Sequence, residues 1–326
     1  MLRFLRRLSS SSKSAAVGKS AWSAVCLFPG RIDVATIQRN GDKPQVSALE
    51  SFERSGNDVD ALKRLGKRFK LNKAQCVTLL PSADYQMIQF EAPAAAADLP
   101  LRDAVRERVT EMIDQPLAHV TYDAVMIPTL AFSPGRPQNA YAVVAGNAAI
   151  GPRVQLFHHA NVALKAIDVP EMAQRNIAAL AEQPDRALAF LAFEQSDGLL
   201  TFTCNGELYM SRRVEIGLKQ LIGAEPDRRT ALFERIGLEV QRSLDNFDRQ
   251  YGYLPLSRLL LGPQAEAAPL QAFLADYLGL KVDVLDLADV LDFPDVPELK
   301  RIDRQAQCLL ALGAALRTDA VAGAAA

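Results

Sequence analysis

The sequence has no long hydrophobic run, no close pair of cysteines and no excess of charge of either sign. No segment reaches the roughly 18 consecutive apolar residues that a membrane-spanning helix requires. The four cysteines (Cys26, Cys76, Cys204 and Cys308) lie far apart, and this spacing predicts buried free thiols rather than a zinc site or a disulfide framework. With 37 Lys and Arg against 38 Asp and Glu, the net charge is −1. We therefore expect no metal site and no nucleic-acid partner.

The first 20 residues are basic and rich in serine. Arginines alternate with apolar side chains in MLRFLRRL, and serines dominate the stretch that follows. This composition predicts a flexible tail over residues 1–20. Contact between the arginines and an anionic membrane surface is the alternative, since each cation near such a surface contributes about 1 kcal/mol.

What is present is a series of short β-rich runs divided by turn residues. The first half opens with strands at 21–28, 31–38 and 45–53, followed by a helix at 58–70 and a strand at 75–80. The second half opens in the same way at 187–193, 199–204 and 207–214, with Asp197-Gly198 and Asn205-Gly206 as its turns. Asp-Gly and Asn-Gly pairs between alternating runs are typical of hairpins. Both halves therefore begin with a three-stranded meander.

The remaining elements extend this repetition. The second half continues with a helix at 226–251, a strand at 258–262, a helix at 269–278, a strand at 281–287 and a closing helix at 302–317. The first half continues similarly at 140–183, after an insertion at 84–137 that contains an amphipathic helix at 99–114. We therefore predict an α/β protein with duplicated β-β-β-α-β-α-β-α domains, 21–183 and 184–326. This is the actin, sugar kinase and Hsp70 arrangement with an inserted subdomain in the first half.

Two long stretches resemble the type IV pilus assembly proteins related to PilM. They are YQMIQFEAPAAAADLPLRDAVRERVTEMIDQPLAHVTYDAVMIP and AYAVVAGNAAIGPRVQLFHHANVALKAIDVPEMAQRNIAAL, and the terminal QCLLALGAALR resembles the closing helix of the same family. The resemblance implies a cytoplasmic actin-like scaffold at the bacterial inner membrane. It further implies a groove in the first domain that holds the cytoplasmic tail of a bitopic partner, similar to PilN or MshJ.

Such a fold raises the question of ATP, because actin-like ATPases hold phosphates with two hairpins. Each hairpin supplies an acidic residue for hydrated magnesium and a glycine whose amide approaches the phosphate. Matching the first hairpin to the family pattern places Cys26 at the acidic position and Phe28 at the glycine position, with Gly30 offset. The first hairpin therefore departs from the ATPase pattern.

The second hairpin and the adenosine-side loop depart from it too. Ala192 takes the acidic position and Glu194 the glycine position, while Ser196 remains small and polar. In the adenosine-side loop Gly262 is kept, but it is followed by Pro263, which has no N–H to donate. These departures predict a pseudo-ATPase without a cofactor. The alternative is an active ATPase that binds ATP with Mg²⁺, for which a one- or two-residue shift of the match would bring in Asp33 or Asp197.

The strand YQMIQFE supplies the candidate partner site. An exposed alternating strand offers both backbone pairing and side-chain pockets to an extended peptide. We therefore propose Tyr85, Met87 and Ile88 as lining the tail groove. The alternative is that these side chains face the core of their own subdomain.

Overall fold

The computed structural model describes residues 21–39, 41–93, 99–128, 138–265 and 267–318. The predicted tail, residues 1–20, lies outside them. The chain forms two compact units. The first comprises the described residues up to Ile37, Leu49–Pro170 and those from Ala314 onward, and the second comprises Gln38–Ala48 and Glu171–Gly313. Among the described residues, no helix is both long and apolar enough to cross a membrane.

The elements of the first half follow the predicted order. They are β1 (Trp22–Phe28), β2 (Arg31–Gln38), β3 (Gln45–Glu53), α1 (Asp58–Arg68), β4 (Gln75–Leu79), β5 (Tyr85–Glu91), α2 (Leu101–Ala104), α3 (Arg106–Met112), β6 (Val120–Met126), β7 (Asn139–Gly146), α4 (Asn147–His159), β8 (Leu164–Asp168) and α5 (Pro170–Ala178). The main sheet has the order β3-β2-β1-β4-β8. Strand β4 runs parallel to β1, and β8 runs parallel to β4. Parallel neighbours need long connections, and helices lie in the connections that lead to β4 and β8.

One face of this sheet packs against α1 and α4. Val25 and Val34 from the strands, Leu62 from α1 and Phe157 from α4 belong to one core cluster, and each is fully buried. Helix α1 begins at its predicted position because the Asn57 side chain accepts a hydrogen bond from the Val59 amide, which satisfies one of the unpaired N–H groups of the first turn.

The inserted subdomain is a separate three-stranded sheet with the order β5-β7-β6. The predicted insertion ended at residue 137, but β7 is the central strand of this sheet, so in the structure the subdomain extends to Gly146. The single helix predicted at 99–114 is divided into α2 and α3 at Val105. Val105 is fully buried against Phe90 and Tyr122. The helix is interrupted there because Val105 packs against the sheet, although no glycine or proline marks the break in the sequence.

The second half has the predicted β-β-β-α-β-α-β-α order with one addition. Its elements are β9 (Ala187–Phe193), β10 (Gly198–Cys204), β11 (Glu207–Val214), α6 (Leu218–Leu221), α7 (Pro226–Tyr251), β12 (Leu256–Leu261), α8 (Ala267–Leu278), β13 (Val282–Val284) and α9 (Ile302–Ala315). The sheet order is β11-β10-β9-β12-β13. The short helix α6 was not predicted, and the closing helix ends two residues before the predicted 317. The rings of Phe202 and Phe247 stack at 4.6 Å and join α7 to the sheet.

Candidate functional site

The first hairpin turns tightly at Pro29-Gly30 between β1 and β2. Gly30 has φ +76°, a left-handed conformation that glycine adopts without a steric penalty. Its carbonyl accepts a hydrogen bond from the Arg54 amide at 2.9 Å. The Phe28 ring lies beneath the Arg31 guanidinium, whose central carbon is 4.5 Å from the ring centroid. The turn is thus braced by contacts within its own unit.

Cys26, at the position expected for an acidic residue, is fully buried in β1. Burial, reinforced by the nearby Asp33 carboxylate, raises the pKa of the Cys26 thiol far above its ordinary value. The thiol is therefore neutral at physiological pH. Since Mg²⁺ prefers oxygen ligands, a neutral buried thiol does not replace the missing carboxylate.

Asp33, the alternative acid of this hairpin, lies directly opposite Cys26 on β2. It is fully buried. The Arg31 Nε donates a hydrogen bond to one of its carboxylate oxygens at 2.9 Å, and the Ser51 hydroxyl donates to the other. A cation that bound Asp33 would have to displace the guanidinium of Arg31.

The loop of the second hairpin, residues 194–197, is covered by the segment that leads into α6. The amides of Leu218 and Lys219 donate to the carbonyls of Glu194 and Gln195, at 2.8 and 3.1 Å. A Cβ on Gly217 would lie only 2.4 Å from the Ser196 carbonyl carbon. The loop backbone is therefore in direct contact with protein, and glycine at 217 is what allows that contact.

Ala192, the second predicted acidic position, is 6% exposed at the end of β9. Gly262, which follows β12, donates its amide hydrogen to the Leu191 carbonyl at 2.7 Å. Pro263 is buried beside it. The structure therefore brings Ala192 of the second hairpin and Gly262 of the adenosine-side loop into contact.

Asp197, the alternative acid of the second hairpin, is held by Arg213. The two guanidinium nitrogens of Arg213 contact Asp197 and Glu171, each at 3.0 Å. Arg213 lies on β11 opposite Leu199, so it crosses the hairpin to reach the loop. Glu194 is half-buried and Ser196 exposed in the same loop. Within the described residues, no group of three His, Cys, Asp or Glu side chains is arranged to hold a metal ion.

The candidate partner strand, β5, lies at the edge of the inserted sheet. In the described part of the chain it pairs with β7 on one side, in the register Tyr85↔Ala145 through Glu91↔Asn139, and no strand follows it on the other. The side chains of Ile88 and Phe90 pack on the subdomain core with Val105. Met87 is half-buried and lies on the opposite face of the strand.

A cavity of about 180 Å³ opens at the beginning of β5. Tyr85 and Gln86 border it from the strand, and Ile113, Asp114 and Gln115 border it from the segment after α3. The remaining lining residues are Ala83, Asp84, Val120, Val144 and Gly146. Of the three predicted groove residues, Tyr85 lies at this cavity, Ile88 belongs to the core and Met87 is at neither.

The arginine partners of Asp33 and Asp197 were not predicted from the sequence. Arg31 and Asp33 lie two positions apart on a strand, so their shared face could have been foreseen. Arg213 and Asp197 are separated along the chain, and no local pattern joins them. Asp84 and Asp114 border one cavity only because the inserted sheet folds, and residue spacing gives no indication of that.

Several solved structures are similar to this chain. A chain of a structure described as the PilM–PilN type IV pilus biogenesis complex superposes with a TM-score of 0.70 and 18% identity, covering 91% of this chain and 98% of that chain. A Bacteroides thetaiotaomicron protein described as having an actin-like ATPase fold and unknown function gives 0.46 at 9% identity, covering 89% and 95%. The ethanolamine utilization protein EutJ from Carboxydothermus hydrogenoformans gives 0.46 at 13%, covering 93% and 91%.

No protein-family model matches the chain, and no curated protein matches it by sequence. The predicted fold is confirmed by the structural match with a TM-score of 0.70. At these identities the likeness establishes the fold alone.

Proposed function

We propose that this protein is a scaffold of type IV pilus assembly, similar to MshI of the MSHA pilus. In this role it docks the cytoplasmic tail of an inner-membrane partner similar to PilN or MshJ. Two observations support the proposal. The fold is that of a chain from a complex described as PilM–PilN, and within the described residues the inserted subdomain has a strand edge that pairs with no other strand, with a cavity at its beginning.

The edge of β5 is the observation that carries the docking site. An extended peptide can add to such an edge through main-chain hydrogen bonds, while pockets beside it select side chains. Exposed edges are ordinarily shortened, charged or covered, because they otherwise pair with other chains. Strand β5 is seven residues long, and the first of its residues borders the cavity.

We propose further that the protein does not hydrolyse ATP. The proposal is supported by the buried, uncharged Cys26 and Ala192 at the two acidic positions. It is also supported by the ion pairs that engage Asp33 and Asp197. An active ATPase whose nucleotide gates docking is the alternative, and titration with Mg-ATP separates the two.

The protein would act in the cytoplasm at the inner membrane. Docking on a bitopic partner brings it to that surface, and the arginines of MLRFLRRL would add attraction to anionic lipid. Sedimentation with lipid vesicles tests this membrane contact. The parent protein and the variant Arg3→Ser/Arg6→Ser/Arg7→Ser are each mixed with vesicles that contain anionic lipid and with vesicles of neutral lipid alone. Equal sedimentation of the two proteins would contradict a role for the arginines.

Binding of a synthetic cytoplasmic tail of the PilN-like or MshJ-like partner tests the docking proposal. We expect Tyr85→Asp to weaken binding by about tenfold or more, since this corresponds to roughly 1.4 kcal/mol of lost contact at the cavity. Tyr277→Asp is the matched control, because Tyr277 is 46% exposed on α8 of the second unit. Circular dichroism would verify that both variants fold. Equal affinity of the two variants would contradict the location, and no binding to the parent protein would contradict the function.

A further inference from the structure

The cavity at the beginning of β5 has room for one side chain. Its volume is about 180 Å³, whereas pockets for cofactor-sized ligands begin at about 300 Å³. Its lining is mixed: Ile113, Val120 and Val144 form an apolar part, and glutamines and aspartates form a polar part. Such a lining suits a side chain with an apolar stem and a polar end.

The charge at this cavity is negative. Asp84 and Asp114 both border it. Asp114 is exposed and has no cationic partner in the described part of the chain, while the only such partner of Asp84 is Arg153, at 3.8 Å. The other guanidinium nitrogen of Arg153 donates to the Leu79 carbonyl at 2.7 Å, so Arg153 is directed toward β4. Asp114 thus carries a negative charge with no ion pair in this part of the chain, and the one ion pair of Asp84 is long.

From the edge strand, the cavity and its charge together, we infer that the docked tail inserts a lysine or arginine side chain into the cavity that Asp84 and Asp114 border. This inference rests on the proposed docking function and names the chemistry that the site selects. The methylene stem of the inserted residue covers Ile113, Val120 and Val144, and its cationic end meets the carboxylates. The tail backbone lies along β5, which fixes the position of the cation in the peptide sequence.

Selection from a display library of short random peptides tests the inference without knowledge of the partner. Peptides are retained that bind the full chain and lose binding to Tyr85→Ala, a change that removes the ring without adding charge to the cavity. The strongest binder is then synthesised with its lysine or arginine intact and with glutamine in its place. Both forms are titrated against the parent chain, Asp84→Asn/Asp114→Asn and the control Asp276→Asn, which removes one exposed carboxylate from α8.

We expect the retained peptides to share a lysine or arginine at one position. Replacement of this residue by glutamine should weaken binding to the parent and to Asp276→Asn by roughly tenfold, as for close charge pairs at an interface. The loss of affinity should be smaller at high salt, because salt screens the attraction. On Asp84→Asn/Asp114→Asn the two peptide forms should bind alike. This variant is nearly isosteric and changes a surface cavity, so its folding is verified by circular dichroism before titration.

Three results would overturn the inference, and they differ in what they leave standing. The retained peptides could depend on Tyr85 but share no lysine or arginine. Alternatively, replacement of the shared cation by glutamine could weaken binding to Asp84→Asn/Asp114→Asn as much as to the parent. Either result would refute the cationic side chain and leave the docking site intact. A library that yields no peptide dependent on Tyr85 would refute both the inference and the proposed site.

Discussion

A Cβ atom on Gly262 would lie 2.8 Å from the Cβ of Ala192. The ends of β12 and β9 therefore touch through the smallest side chains available. This contact leaves no room for a larger side chain at position 262 unless Ala192 moves. Packing inside the second unit is sufficient reason for glycine at position 262, whether or not a nucleotide binds.

Gly262→Ala is expected to destabilise the protein. The added methyl group would have to displace Ala192 and its backbone, and overpacking of this kind costs about 1–3 kcal/mol. Urea denaturation gives the free energy of unfolding. Gly151→Ala is the control, since a Cβ on Gly151 of α4 meets no atom within 4 Å and alanine favours a helix by up to about 1 kcal/mol. If both variants lost equal stability, the close approach of Gly262 to Ala192 would be wrong.

Arg317→Met should unfold the protein more easily because it leaves a buried charge alone. Arg317 contacts Asp168 at 2.5 Å, and the two side chains are only 6% and 2% exposed. Removal of one partner from such a pair costs about 3–5 kcal/mol. Addition of Asp168→Asn to this variant should restore part of the loss, because the uncompensated charge is then absent.

Arg301→Met provides the matched control for Arg317→Met. The pair Arg301–Asp303 has the same 2.5 Å separation but is largely exposed. Exposed pairs are screened by water and contribute little, so thermal melting should show almost no change. A large loss from Arg301→Met would mean that distance, rather than burial, determines the strength of these pairs.

Stability is expected to fall in alkaline solution. Burial raises the pKa of the Cys76 and Cys204 thiols to about 12, while an exposed thiol has a pKa of about 8.5. Above this lower value the unfolded chain loses protons that the folded chain keeps. These two thiols should therefore leave the free energy of unfolding unchanged below about pH 8 and lower it above that pH, by up to about 1.4 kcal/mol per pH unit for each thiol.

Burial also raises the pKa values of Cys26 and Tyr209, and both groups add to the decline. In the variant Cys76→Ala/Cys204→Ala, the free energy of unfolding should therefore fall less steeply with rising pH. The difference from the parent should first appear near the ordinary pKa of a thiol. Urea denaturation across this range measures the curve, and the Ala variant is compared with the parent. An identical pH dependence in the two proteins would contradict the assignment of the decline to these thiols.

Local patterns predicted much of the fold. Strands β2, β3, β9 and β11 and helix α7 begin and end at the predicted residues, because turn residues and proline mark their ends. Asn205 and Gly206 have φ values of 51° and 75°, as a tight hairpin turn requires. These features depend on neighbouring residues alone, so the local sequence is sufficient to predict them.

The remainder depends on contacts between distant residues. Val105 divides a helix because it is buried against the inserted sheet, and β7 joins that sheet through pairing with β5 and β6. The Arg213–Asp197 pair forms only when β11 lies beside β10. A single sequence shows the pattern within each element but not the partner across the sheet.

Calorimetric titration of the full chain with Mg-ATP tests the central claim most directly, namely that this actin-like fold serves as a scaffold without nucleotide chemistry. We predict no binding heat and no thermal stabilisation at millimolar nucleotide, which would mean a standard binding free energy weaker than about −4 kcal/mol. The same preparation should bind the tail peptide, which shows that it is folded and active. Micromolar binding of Mg-ATP would contradict the claim, and Asp33 and Asp197 would then be the residues to replace first.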